Sequence, residues 1–374
     1  MSKFLVDFKS KKMKTIAIFT QNLDIGGVQK SVFLLSNYLK DKFDIKIILA
    51  EDNKNINYNI QDIEIFKIKT KKINIEEENI GEKLFNYRVK ELTTLLEKIK
   101  PHLLISYEDY NNLIALESSF SCKKIISCRV SIFDSYQDKK IHLLSSEFYY
   151  NKIKNLYPKA NKIITVSNSI KNELEDIFHI NNSITIHNGI LKIKTFTPCN
   201  YSNFILNIGR LHKQKGQLDL IKAFNKIKTQ IKENLLIVGE GVLRAELENE
   251  IEKLNLKNRV FLIGADLPYS YIKNCSLFVF PSYYEGFSNT ILEVMSLKKN
   301  ILAYNYKGSK EVLFNENLIE KGNIEELSLK IVFYLKNKKE NKLLEDKLFM
   351  HSKNFSLNKT LQKYEEEIKK CVEL

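Results

Sequence analysis

The sequence predicts an α/β protein made of two doubly wound domains. Three observations lead there. The chain has 374 residues, more than a single ordinary core organises. Short apolar runs alternate with amphipathic stretches along most of its length, the cadence of parallel strands joined by right-handed crossover helices. That cadence breaks once, at a linker from about Leu191 to Ser202 that holds Pro198. The boundary therefore falls at 198/199, giving domains at 1–198 and 199–356, with a charged amphipathic tail helix at about 357–374 expected to pack back on the first.

In chain order, Thr15–Phe19 reads as a short buried strand, followed by a loop ending in Gly26-Gly27 and a helix over Val28–Leu39 with Val28, Val32, Leu35 and Leu39 on one face. Strand, glycine loop and helix open a doubly wound domain, and ligands gather at the carboxyl ends of its strands. Gly26 and Gly27 either let the backbone approach a substrate or form a plain tight turn. Further strands are expected at Ile45–Ala50, Ile63–Ile68, Leu103–Ser106, Lys124–Ser127, Ile163–Ser167 and Ile184–His187. Helices are expected at Phe85–Ile99, Asn111–Ser118 and from Ser167, a good N-cap, to Phe178. Residues 139–162 form a lysine- and aromatic-rich amphipathic segment, suited either to a membrane surface or to packing on the sheet. The second half repeats the cadence more cleanly, with strands at Phe204–Ile208, Leu235–Val238, Val260–Ile263, Leu277–Phe280 and Ile301–Tyr304.

Hydrophobic residues make up 44% and charged residues 28%, the composition of a soluble globular protein. The formal net charge is +14: 31 basic against 23 acidic residues in 1–198, and 28 against 22 in the remainder. Such a surplus draws phosphates of any kind, whether nucleic acid, anionic lipid or nucleotide. Because it is dispersed over both halves, it argues against a dedicated nucleic-acid stripe. No apolar run nears the ~18 residues of a membrane span, and the charged start is no signal peptide; translation starts at Met1 or at Met13. Five cysteines, odd in number and without paired metal spacing, read as reduced, structural and cytosolic. No metal site is expected.

Chemistry concentrates in two loops of the second half. The first is Gly209-Arg210-Leu211-His212-Lys213-Gln214-Lys215-Gly216, after the strand ending at Ile208. Arg210 offers a planar fork to two phosphate oxygens, and Lys215 a mobile point charge. The second is Ser282 to Glu293, after Pro281: Gly286 permits a turn, Ser288 caps a helix beginning near Asn289, and Glu285 and Glu293 stand on loop and helix. Amides at that helix start favour an anion, while the two carboxylates suit neutral hydroxyls. Phosphate and hydroxyls together indicate a nucleotide sugar. Val238-Gly239-Glu240-Gly241 mimics a dinucleotide fingerprint, but Arg244 stands at the third glycine position and no acidic residue closes a suitable strand about twenty residues on, which argues against a nicotinamide enzyme. Those glycines bring the chain close to a sugar or base, and the loop from Gly264 to Pro268 meets a base through its backbone.

With these residues in view, the second half resembles the nucleotide-binding domain of family 4 glycosyltransferases, retaining enzymes of the GT-B fold. The matching pieces are Gly209-Arg210 with Lys215-Gly216, the turn from Val238 to Gly241, and Glu285 with Gly286-Phe287 and Glu293; Asn188-Gly189 fits as well, whereas the first half matches only in cadence and in Gly26-Gly27. The resemblance implies two Rossmann-like domains facing across a cleft. It implies that Arg210, Lys215 and Glu285 are catalytic: the two cations hold the donor diphosphate and stabilise its departure in place of a metal, and Glu285 faces the transferred sugar. Glu293 accepts hydrogen bonds from ribose. Gly27, Gly209, Glu240, Gly241, Gly264, Gly286, Phe287, Ser288 and Asn289 complete the donor site, and Gly26 and Arg129 lie toward the acceptor. Many relatives carry a histidine after the strand that here ends at Ser127; this chain has Cys128-Arg129 and no histidine until His142, so Arg129 is expected to take that place, meeting an anionic or acetamido group.

The implied function is metal-independent, cofactor-free, retaining transfer from a nucleotide sugar, a UDP-sugar, to a glycan or lipid-linked acceptor of cell-surface polysaccharide or lipopolysaccharide at the inner membrane face. No nucleic-acid partner is expected. Two other classes compete with this reading. One is a sugar-nucleotide-binding protein without turnover, against which the intact Arg210, Lys215, Glu285 and Glu293 speak. The other is a basic nucleic-acid binder, suggested by charge alone.

Overall fold

The computed structural model describes residues 13–24, 26–51, 60, 62–69, 79–133, 144–191 and 198–373. Met1, residues 139–143 with His142, and half of the 191–202 linker lie outside them.

The first domain runs β1 (Thr15–Thr20), α1 (Gly27–Leu39), β2 (Asp44–Leu49), β3 (Glu64–Lys67), α2 (Ile80–Ile99), β4 (Leu103–Tyr107), α3 (Asp109–Glu117), β5 (Lys123–Cys128), α4 (Ser146–Leu156), β6 (Lys162–Thr165), α5 (Asn168–Phe178) and β7 (Ser183–Thr185). Its strands form one parallel sheet in the order β3-β2-β1-β4-β5-β6-β7. The second runs β8 (Phe204–Ile208), α6 (Gln217–Ile227), β9 (Asn234–Val238), α7 (Arg244–Lys253), β10 (Val260–Gly264), α8 (Tyr269–Asn274), β11 (Leu277–Phe280), α9 (Asn289–Ser296), β12 (Ile301–Tyr304), β13 (Leu318–Ile319), α10 (Ile324–Lys336), α11 (Lys338–Ser352) and α12 (Leu357–Val372). Its parallel order is β10-β9-β8-β11-β12-β13. Both sheets are doubly wound, and each reverses its strand order once: between β1 and β4, and between β8 and β11. Ligands of such sheets bind beyond the strand ends at that reversal.

The strands are buried on both faces, as continuous apolar runs require. Ile16, Ala17, Ile18 and Phe19 of β1 and Leu277, Phe278 and Val279 of β11 are wholly shielded from solvent. The structure departs from the sequence reading at several places. β13 goes unread because it has only two residues. α2 begins five residues before Phe85. The segment at 139–162 divides, with α4 capped by Ser145, whose hydroxyl accepts the Phe148 N–H, and followed by a tight turn at Tyr157–Lys159 containing Pro158. Tyr149, Ile153, Leu156 and Tyr157 are buried in the domain core, so the described part of this segment packs inward along one face.

α12 crosses back to the first domain. Leu361, Tyr364 and Ile368 join the core layer that contains Leu35 and Leu39 of α1, and Glu365 accepts hydrogen bonds from Tyr38 at 2.7 Å and Lys42 at 2.5 Å. The crossing point explains Gly189: a Cβ there would sit 2.4 Å from the Cα of Leu357. Beside it, the Ile190 N–H donates to the Phe355 carbonyl at 2.9 Å. Among the described residues, no helix is long and apolar enough to cross a membrane.

Candidate active site

The loop after β8 and the loop after β11 meet at the strand reversal of the second sheet. The first turns on Gly216, whose φ of +64° suits glycine and whose missing Cβ would lie 2.1 Å from the Pro281 carbonyl. Two hydrogen bonds lace the loops together: the Tyr283 N–H donates to the Gln214 carbonyl, and the Gln214 side-chain amide to the Tyr284 carbonyl, both at 2.8 Å. This brings the Lys215 ammonium to 2.5 Å from a Glu285 carboxylate oxygen and to 5.4 Å from the centre of the Phe280 ring. Lys215 also lies alongside Gly209, close enough to touch any side chain placed there. Arg210 is exposed, and its guanidinium has no partner among the described residues; Gln217 anchors only its carbonyl, at 2.9 Å. Ser288 caps α9 as read from the sequence, its hydroxyl accepting the Ile291 N–H.

The first domain closes over this loop. Gly286 has no room for a Cβ, which would fall 1.9 Å from the Arg129 carbonyl. Phe287 is buried, stacked on His187 with ring centres 4.6 Å apart, and its carbonyl accepts from the Asn188 amide at 2.8 Å. Asn289 points its amide at the Gly27 carbonyl, 3.5 Å away. Gly26, in extended backbone, precedes α1. From α1, Lys30 reaches Glu293 at 2.5 Å and the Tyr269 hydroxyl at 3.3 Å. Burial works against the Lys30 ammonium, but Glu293 and Tyr269 carry its pKa above the usual lysine value. The Arg129 side chain, 9% exposed, donates to Ser31 and to Asn188, each at 2.8 Å, and has no carboxylate at ion-pair distance among the described residues. A cavity of about 30 Å³ opens beside it, lined by Lys30, Ser31, Asn188 and Asn289 among others; Arg210, Lys215 and Glu285 do not line it.

Three residues assigned to the donor have local explanations. Glu240 is bound by Arg244 four positions on, at 2.7 Å, and the hydrogen bonds from that guanidinium hold its carboxyl below the ordinary value. Gly241 passes the Leu211 backbone, where a Cβ would lie 2.4 Å from a carbonyl oxygen. Gly264, at φ +92°, bonds its carbonyl to the Gly239 N–H at 2.7 Å, beside a break in the register of β9 and β10.

Other contacts across the domain seam are absent from the sequence reading. Glu311 accepts the N–H groups of Asn168 and Ser169 at the start of α5, both at 2.8 Å, and sits 3.1 Å from His187. Burial raises the Glu311 carboxyl, but His187 and the two amides outweigh that and leave it lowered. Glu173, buried, accepts from Ser131 and from the Phe133 N–H, with Lys307 at 3.4 Å. The only available hint was the run of serines and asparagine opening α5. Among the described residues, no group of three histidine, cysteine or acidic side chains is placed to hold a metal ion.

Two parallel doubly wound sheets, with a cation-and-carboxylate site where the loops of one meet the backbone of the other, define a GT-B protein. The sequence model described as "Glycosyl transferases group 1" matches residues 196–347. An N-acetylgalactosamine-N,N'-diacetylbacillosaminyl-diphospho-undecaprenol 4-alpha-N-acetylgalactosaminyltransferase from Campylobacter jejuni is 30% identical over 319 residues, covering 82% of this chain and 84% of that protein. Among solved structures, sucrose-phosphate synthase from Thermosynechococcus elongatus superposes with a TM-score of 0.82 at 18% identity, covering 96% of this chain and 98% of that one. Anabaena HepE in complex with UDP and glucose gives 0.77 at 17% identity, covering 96% and 100%. At such identities these two likenesses speak to fold. The chain belongs to the family 4 glycosyltransferases and is a glycosyltransferase of GT-B architecture.

Proposed function

We propose that this glycosyltransferase transfers a sugar, with retention, from a UDP-sugar to a glycan or lipid-linked acceptor in cell-surface polysaccharide or lipopolysaccharide biosynthesis, at the inner face of the membrane and without a metal. One observation carries the reading: the loop after β8, at the strand reversal, presents the unengaged guanidinium of Arg210 and the ammonium of Lys215, and Glu285 stands beside Lys215. Each engaged side chain holds a partner that a donor would replace. Lys215 leaves Glu285 for a phosphate oxygen, freeing that carboxylate for sugar hydroxyls, and Glu293 leaves Lys30 for the ribose. The C1–O bond to the diphosphate then breaks as the acceptor oxygen bonds C1 on the same face. A donor phosphate oxygen takes the acceptor proton, and the two cations balance the charge on the departing UDP. The Campylobacter relative supports a lipid-linked acceptor by its name, and HepE with UDP bound in the same fold supports the base.

A thermal-shift comparison of UDP-, GDP- and ADP-sugars tests the donor. UDP-sugars should raise the melting temperature most, with and without EDTA. A larger shift with another base overturns the UDP assignment, and a shift abolished by EDTA overturns metal independence.

A further inference from the structure

The first sheet has its own strand reversal, between β1 and β4, and Glu108 stands on it directly after β4. Its backbone lies at φ 75°, ψ 138°, a conformation a residue with a side chain holds only where its surroundings impose it. One carboxylate oxygen is fixed: Oε2 accepts the Gln21 N–H at 3.1 Å and the amide of Asn111 at 3.3 Å. The other oxygen has no partner among the described residues, and the side chain is partly exposed. Asp109 is not the second half of an acidic pair, since its carboxylate turns to the Tyr157 hydroxyl at 3.0 Å. Arg129 is near enough for its charge to act on Glu108, and the Arg129 carbonyl abuts Gly286.

We propose that Glu108 is the acceptor-binding residue, its second carboxylate oxygen taking a hydrogen bond from a ring hydroxyl of an acceptor pyranoside and setting that hydroxyl against the donor. The assignment rests on the glycosyltransfer reading of the β8/β11 site. A carboxylate serving only the fold would direct both oxygens into protein donors, because an unmatched, partly buried one is costly. Here the fold clamps one oxygen with a backbone amide and a buried asparagine, strains the backbone to aim the other, and leaves it unmatched. Burial pushes this carboxyl up to about 7, against the Gln21 N–H and Arg129, and with Asp109 and Glu51 adding to the rise. A hydroxyl suits the free oxygen, since it can donate to the carboxylate.

Saturation-transfer NMR on the UDP-loaded protein tests this with p-nitrophenyl α- and β-glycosides of glucose, galactose, N-acetylglucosamine and N-acetylgalactosamine. At least one glycoside should bind the wild type. Its affinity should fall about tenfold or more in Glu108→Gln and in Glu108→Ala, the loss expected for a hydrogen bond to a charged group, while UDP affinity stays within twofold. The glutamine variant keeps an oxygen for the Gln21 N–H, so it reads acceptor binding even where alanine disturbs the fold. Equal glycoside affinity in the wild type and the glutamine variant overturns the proposal. So does a wild type that binds UDP and none of the glycosides. A wild type that fails to bind UDP overturns instead the donor reading on which the proposal rests.

Discussion

Burial pushes the neighbouring carboxyls of Glu108 and Asp109 each up to about 7; for Asp109 the Tyr157 hydroxyl opposes the rise and the Glu173 charge adds to it. Unfolded, both groups titrate near 4. Their ionised forms are thus disfavoured by the fold, so the folded protein loses stability as pH rises from about 4 through about 7 and levels off above. Replacing Glu108 with glutamine removes its share of that loss. The melting temperature of the variant relative to wild type should be higher at pH 8 than at pH 5, and an equal difference at both values would contradict the assignment. Glu365 has the opposite sign: hydrogen bonds from Lys369, Lys42 and Tyr38 hold its carboxyl at about 2. Its support for the docked α12 is present above about 4 and lost as pH falls toward 2.

The β8–α6 loop is the element on which the basic pair depends. A Cβ at Gly216 would meet the Pro281 carbonyl at a backbone angle that side chains rarely adopt. Gly216→Ala should therefore lower the melting temperature by a few degrees. It should also weaken UDP binding by about tenfold, because separating the loops displaces Lys215. UDP affinity within twofold of wild type would show that the loop geometry does not position the cation. This loop was legible in the sequence, since an apolar strand, a glycine, two basic residues and a helical period follow in order. The Ser288 cap was legible for the same reason. The pairing of Glu240 with Arg244 was visible in its four-residue spacing, and the glycines around it suggested a ligand as well. Those glycines answer to backbone crossings, and a crossing depends on strands distant in sequence.

At the scale of the whole molecule, two features make one enzyme of two domains. α12 returns to the first core, and polar contacts across the seam tie Lys30 to Glu293, His187 to Glu311 and Lys307 to Glu173. These partners are 263, 124 and 134 residues apart. Local period and propensity carry no trace of such pairings, so most of the strands could be read from the sequence while the strand order and the seam could not. Glu108 escaped for the same reason, being marked by its backbone angle and by Gln21 from the loop after β1 rather than by any motif. The central claim remains that the unengaged guanidinium of Arg210 and the ammonium of Lys215, carried on one loop, neutralise the leaving diphosphate. Arg210 contacts nothing else through its side chain among the described residues, so Arg210→Ala should leave folding intact and isolate that role. The most direct measurement is UDP release from the preferred UDP-sugar by wild type and Arg210→Ala at saturating donor. The account predicts a fall of about a hundredfold, and a rate within threefold of wild type would contradict it.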